Sequence, residues 1–207
     1  MVMWLLTNPL VANLFPSYLW FYPRFGNSIY LSFDDGPTPY CQEFILNTLA
    51  EYKAVATFFL VGENIVKYPN LYKQLLNTNN RIANHSQHHL KGWKTDLEAY
   101  VNDVKECESH ISNPYKLFRP PYGKITKAQA KHLKADGYKI VMWSFLTYDF
   151  AKEIDHNYII SQFKRKVKAG DIIVFHDNIK SKENLEILLP AFLNIIKELN
   201  LKTVVIS

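Results

Sequence analysis

Four short stretches of this chain carry side chains able to do hydrolytic chemistry together. Asp34 and Asp35 close the apolar run Ile29-Tyr30-Leu31-Ser32-Phe33 and stand before a Gly36-Pro37 turn. Carboxylates at the mouth of a buried strand are costly to desolvate unless a cation or a metal pairs with them. His85 and His89 are four residues apart; this spacing predicts a shared face on a helical turn, from which two imidazoles reach one metal ion. Arg119 follows Phe118 and precedes Pro120-Pro121-Tyr122-Gly123. A guanidinium there can hold a carboxylate in place and keep it ionised, and the turn at Tyr122-Gly123 can aim backbone N–H groups at a developing oxyanion. His176 ends the apolar run Ile172-Ile173-Val174-Phe175.

Two histidines and one aspartate leave positions on a zinc ion for water and substrate, the pattern of a catalytic site rather than a closed structural one. Of the two adjacent carboxylates, one would bind the metal and the other would take a proton from water. His88, three residues from His85, is a weaker ligand candidate. A histidine placed opposite the base would protonate a leaving amine, a service worth about 10²–10⁴-fold. Each motif has a plain structural reading by itself: a solvated Asp-Asp-Gly-Pro turn, a surface histidine pair, an arginine at a proline corner, a satisfied core histidine. Their joint placement at the ends of strand-like runs is what describes one site.

The elements that must position these residues alternate along the chain. Strands are predicted over 28–33, 57–61, 81–84, 117–119, 139–144, 171–175 and 203–206, and helices over 42–52, 71–78, 95–111, 126–135, 157–167 and 185–199. Thr95 with Glu98, and Thr126 with Gln129, read as capping boxes, and Gly137 and Gly170 as helix stops. Strand–helix alternation without a repeat or a linker implies parallel strands with crossover helices. No Gly-x-Gly-x-x-Gly follows the first strand, which removes the main reason to expect a dinucleotide fold. Chemical residues after the first, third, fourth and sixth strands fit a barrel, which gathers strand ends on one face. Seven strands imply incomplete closure.

The bulk of the chain sets bounds. Its 207 residues are 48% apolar and 21% charged, with a net charge of +5. The lysines are scattered and form no block, so nucleic acid is not an expected partner. Two cysteines, Cys41 and Cys107, stand far apart, which argues against a disulfide framework or a zinc–cysteine site. Residues 1–23 carry no charge and are rich in Trp, Leu, Phe and Tyr, but Pro9 and Pro16 interrupt them. Neither a signal peptide nor a membrane span is expected there, and the compartment stays open. The preferred reading is an apolar strap, residues 1–27, laid on a catalytic domain of residues 28–207; the other is a peripheral membrane contact through residues 1–23.

Taken in order, Asp34-Asp35-Gly36-Pro37, His85-Ser86-x-x-His89, Arg119-Pro120-Pro121-Tyr122 and Val174-x-His176-Asp177 resemble the motifs of the polysaccharide deacetylases, the NodB-homology group or carbohydrate esterase family 4. The resemblance runs from about Ile29 to the C-terminus. It implies an α/β fold, a distorted, incompletely closed (β/α)7 barrel of TIM-barrel type. It also implies metal-dependent removal of N-acetyl, sometimes O-acetyl, groups from amino-sugar polymers of chitin or peptidoglycan type. Carried over position by position, Asp34 is the general base, and Asp35, His85 and His89 bind one divalent ion, zinc first and cobalt or manganese as alternatives. Arg119 orients Asp34, the Tyr122 backbone amide helps the oxyanion, and His176 is the general acid. Tyr122, Phe150 and Val174 shape the acetate pocket. One place departs from the pattern: Leu146 stands where an aspartate is expected three residues after Trp143. That aspartate would pair with the acid histidine, so His176 is expected to lack its partner unless Asp149 replaces it. A small-molecule amide or imide hydrolase, a deformylase, and a carbohydrate-binding protein with a weakened site are the rival functions.

Overall fold

The computed structural model describes residues 5–112 and 115–207. Its centre is β1, Ser28–Asp34, buried along almost its whole length. Alternation sends Ile29, Leu31 and Phe33 to one face and Tyr30, Ser32 and Asp34 to the other. A strand buried on both faces is what a parallel sheet under helices requires. Beside it lie β2 (Ala56–Leu60), β3 (Arg81–Asn84), β4 (Leu117–Phe118), β5 (Lys139–Ile140), β6 (Phe145–Leu146), β7 (Ile172–His176) and β8 (Lys202–Thr203). All pairings are parallel, in the order β5-β4-β3-β2-β1-β7-β6, with β8 added to the start of β1. Outward residues such as Leu31, Phe33, Phe58 and Phe175 pack on the crossover helices. Inward residues, among them Tyr30, Phe59, Val141 and Ile172, fill the barrel below the site.

The sequence reading took 139–144 as one strand. The structure keeps only Lys139–Ile140 of that run as a strand and adds Phe145–Leu146 just beyond it, because the two serve opposite edges of the sheet. Ile140 pairs with Phe118 on β4, while Phe145 and Leu146 pair with Ile173 and Val174 on β7. The barrel is therefore incomplete, with two-residue contacts at each side of the seam. Backbone groups in and beside the seam turn to the N-terminal segment: Met142 donates to Leu19 O at 2.7 Å, Thr7 to Ser144 O at 3.0 Å and Leu146 to Leu5 O at 2.8 Å. Trp20 is buried there with Ala12 and Met142. Of the segment 1–27, residues 1–4 lie outside the described residues. Among the described residues no helix is long and apolar enough to cross a membrane.

The helices are α1 (Pro9–Leu14), α2 (Gln42–Glu51), α3 (Gly62–Lys67), α4 (Pro69–Leu76), α5 (Leu97–His110), α6 (Lys127–Ala135), α7 (His156–Lys166) and α8 (Lys182–Glu198). The sequence reading missed α1 and α3, each six residues long and too short to show a period. The Thr126–Gln129 capping box is present. The Thr95 box is not: Asp96 caps α5 by accepting from Ala99 N at 2.9 Å, and Thr95 Oγ1 donates instead to Lys91 O. Gly137 ends α6 with φ of +89°, a conformation that favours glycine. Gly170 does not stop α7; it lies in the turn before β7 and donates to Ser28 O.

Candidate active site

The C-terminal ends of β1, β3 and β7, with the loops after β4 and β6, open on one cavity of about 620 Å3. Asp34, Asp35, His85, His89, Tyr122, Phe150, Val174 and His176 all line it. A larger cavity, about 940 Å3, lies elsewhere beside Asn27, Lys53 and Thr203 and holds none of them.

The spacing of His85 and His89 predicted a helical turn, and the structure corrects this. His85 follows the last residue of β3, and the chain then turns through positive φ at Ser86 (68°) and His89 (54°), which brings the ring centroids to 5.0 Å. Asp35, itself at φ of 81°, places Oδ1 3.6 Å from His85 Nε2 and 3.2 Å from His89 Nε2. The donor atoms of Asp35, His85 and His89 all lie within 4.8 Å of one another. His85 Nδ1 lies 2.8 Å from Arg119 O. A carbonyl only accepts, so Nδ1 carries the proton and Nε2 turns its lone pair to the cluster, the arrangement of a ligating histidine. Burial pushes the His85 pKa down to about 4, against the pull of Asp34, so the ring is neutral. Burial opposes ionisation of the Asp35 carboxyl, yet the hydrogen bond from His89 and the neighbouring His176 charge hold it below the usual carboxylate range. Two imidazole nitrogens and one carboxylate oxygen suit a zinc-like divalent ion with positions left open. His88 turns away, 2.6 Å from Asp103 Oδ1.

Asp34 sits beside this cluster, its Oδ2 4.0 Å from His85 Nε2. Its Oδ1 accepts from Arg119 Nη1 at 2.7 Å. Arg119 is fully buried behind the cavity, where it also donates to Ser32 Oγ and to the carbonyls of Val141 and Met142. Its guanidinium lies over the Phe59 ring, 4.0 Å from the centroid. Four acceptors and an aromatic face fix the arginine, and the arginine fixes Asp34.

His176 has its partner, and of the alternatives the sequence left open the structure selects Asp149. Its Nδ1 lies 2.7 Å from Asp149 Oδ1, and its backbone N–H donates to Asp149 Oδ2 at 2.7 Å. Leu146 is an apolar wall of the cavity; the carboxylate comes from three residues further on, where the chain leaves β6 and turns back over β7. Burial alone would lower the His176 pKa, but Asp149 outweighs it and raises it to about 9. In the metal-free protein, NMR should find His176 titrating near pH 9. Asp149→Asn should lower it clearly, because burial is then opposed only by the lesser pull of Asp35 and Asp34. A wild-type value at or below 6.5 would refute the pairing. The linkage has a sign: a raised histidine pKa stabilises the fold fully below about pH 6.5, and that contribution fades as pH rises through about 9.

Other side chains at the site were not singled out from sequence. Asn178 Nδ2 donates to Asp35 Oδ2 at 2.6 Å, and Asn64 Nδ2 to Asp35 O at 2.7 Å. Asn178 stands two residues after His176, one beyond the motif read from the sequence.

Residues 23–141, more than half of the chain, match the family model described as polysaccharide deacetylase. A curated peptidoglycan-N-acetylglucosamine deacetylase of Bacillus cereus is 33% identical over 194 residues, covering 91% of this chain and 90% of the relative. A chitooligosaccharide deacetylase of Bradyrhizobium is 29% identical over 156 residues, 72% of this chain and 70% of that one. The solved structure of the Bc1960 peptidoglycan N-acetylglucosamine deacetylase superposes with a TM-score of 0.86 at 28% identity, over 92% of this chain and 91% of that one. This chain belongs to the polysaccharide deacetylases of carbohydrate esterase family 4, and it is a hydrolase with that family's incomplete barrel.

Proposed function

We propose that this chain removes N-acetyl groups from amino-sugar polymers, using one divalent ion, zinc first, held by Asp35, His85 and His89. The observation that carries the reading is the flanking of that three-donor cluster. An arginine-held carboxylate, Asp34, stands on one side, and an aspartate-held imidazolium, His176, lies within charge reach of Asp35. Residues 28–207 carry the catalysis in this reading, with 1–27 as a strap. The names of the relatives, which act on peptidoglycan and chitooligosaccharide, point to the same substrates.

A bound ion supplies Lewis acidity toward water and the acetyl carbonyl. Asp34, oriented by Arg119, takes the proton from the water that attacks that carbonyl. The Tyr122 backbone amide, in a turn at φ of 59°, faces the oxygen that gains charge. His176 gives its proton to the sugar nitrogen as the C–N bond breaks, so amide and water become acetate and a free amine. Val174 and Phe150 shape the acetyl pocket, and Phe150 meets the His176 ring edge-on at 4.9 Å between centroids. Acetate released from chitooligosaccharides and from peptidoglycan strands tests the proposal. The zinc-loaded protein should release it, and the chelated protein should lose that activity and regain it with zinc. Full activity after chelation, or none from the folded, zinc-loaded protein, would contradict it.

A further inference from the structure

The rim of the cavity has a second feature, built from the Tyr122 ring and from Lys91, Trp93 and Lys124, which have no part in the proposed chemistry. The loop after His89 runs against the loop after Arg119: Gly92 N donates to Lys124 O at 3.2 Å, and Trp93 Nε1 to Ile125 O at 3.2 Å. Each loop presents an aromatic ring to solvent under the other loop's ammonium. Lys91 Nζ stands 5.4 Å from the Tyr122 centroid, and Lys124 Nζ 4.7 Å from the Trp93 centroid. Trp93 is 64% exposed and Tyr122 59%. The arrangement is fixed from below, because the buried Gln129 side chain donates to Gly92 O and Thr95 O, each at 2.9 Å. Among the described residues Lys91 and Lys124 pair with no carboxylate, as holds for most lysines of this chain; what sets these two apart is their place over the rings at the cavity rim. Lys180 adds a third ammonium to the cavity wall, against the single distal carboxylate of Glu63.

Exposed aromatic faces offer stacking surfaces to sugar rings, and unpaired ammonium groups beside them offer charge to an anion. A neutral chitin-like chain would use the rings and leave the cations idle. We infer that this rim is a subsite for a glycan strand bearing carboxylates, as muramic acid residues do through their lactyl ether, and that Lys91 and Lys124 recognise those carboxylates. The inference rests on the deacetylase reading for its substrate but not for its test.

The test uses the zinc-loaded full chain and two matched tetrasaccharides from peptidoglycan glycan strands. One keeps its lactyl carboxylates; in the other they are reduced to alcohols. The wild-type protein should bind the carboxylate form about fivefold more tightly at low salt, two exposed ion pairs each being worth a modest factor. That ratio should fall toward one as salt screens the pairs. The Lys91→Gln/Lys124→Gln variant should bind both forms alike, and Lys91→Arg/Lys124→Arg should keep the preference. Equal wild-type affinities, or an unchanged preference in the glutamine variant, would overturn the subsite. Acetate release from neutral chitotetraose is measured beside it. Release with equal affinities defeats the subsite alone; preference without release from any glycan defeats the deacetylase reading alone.

Discussion

Asp34→Asn should lower acetate release by about 10²–10⁴-fold, the usual worth of a positioned general base. The amide keeps the shape of the carboxylate, and its oxygen can still accept from Arg119 Nη1, now at 2.7 Å from Asp34 Oδ1. What is lost is the ability to take a proton. The guanidinium keeps Ser32 Oγ, Val141 O and Met142 O as acceptors, so the variant should remain folded, though with a lowered melting temperature. A fall in turnover of less than tenfold in the folded, metal-loaded variant would remove Asp34 from the role of base.

The largest expected effect on stability is that of Arg119→Leu. Asp34 is buried, and the substitution takes away the cation that compensates its charge. Breaking a buried ion pair by removing one partner costs about 3–5 kcal/mol. Ser32 Oγ, Val141 O and Met142 O lose a donor in the same change, which keeps the expectation at the upper part of that range. Urea denaturation measures it directly. Combining Arg119→Leu with Asp34→Asn should cost clearly less than the sum of the two single changes, because the pair interacts directly. Additive costs, or a loss below about 1 kcal/mol for Arg119→Leu alone, would mean that the pair is not the buried charge centre described here.

Much of the site was legible because its residues end strands that the hydrophobic runs mark clearly. The run 28–33 and the run 171–175 are largely apolar, and the strands they became pair with each other from Tyr30–Ile172 to Asp34–His176. Asp34 and His176 follow those runs in sequence and lie opposite each other in register. The histidine pair was found for a reason that proved wrong. Four-residue spacing suggested a helix, whereas two positive-φ residues in a loop do the same work. Backbone conformations of that kind leave little mark when the residues are serine and histidine. At Leu146 the sequence left two outcomes open, an unpartnered His176 or Asp149 in the missing role, and the chain's turn out of β6 delivers Asp149 to His176. Whether Asp149 reaches the histidine depends on how a loop closes, and no local pattern in 143–150 reports that. The short α3 and the seam between β5 and β6 were hidden for a related reason, since they are held by distant partners and not by a period of their own.

The central claim is that the two adjacent aspartates divide their labour, Asp35 with the histidines holding an ion and Asp34 moving a proton. Metal content tests it most directly, measured by plasma emission on Asp34→Asn, Asp35→Asn and His85→Ala proteins purified side by side after equilibration with zinc. The expected result is one zinc per chain in Asp34→Asn, as in the wild type, and sharply reduced zinc in both Asp35→Asn and His85→Ala. Full zinc in His85→Ala, or equal loss from the two aspartate variants, would contradict it.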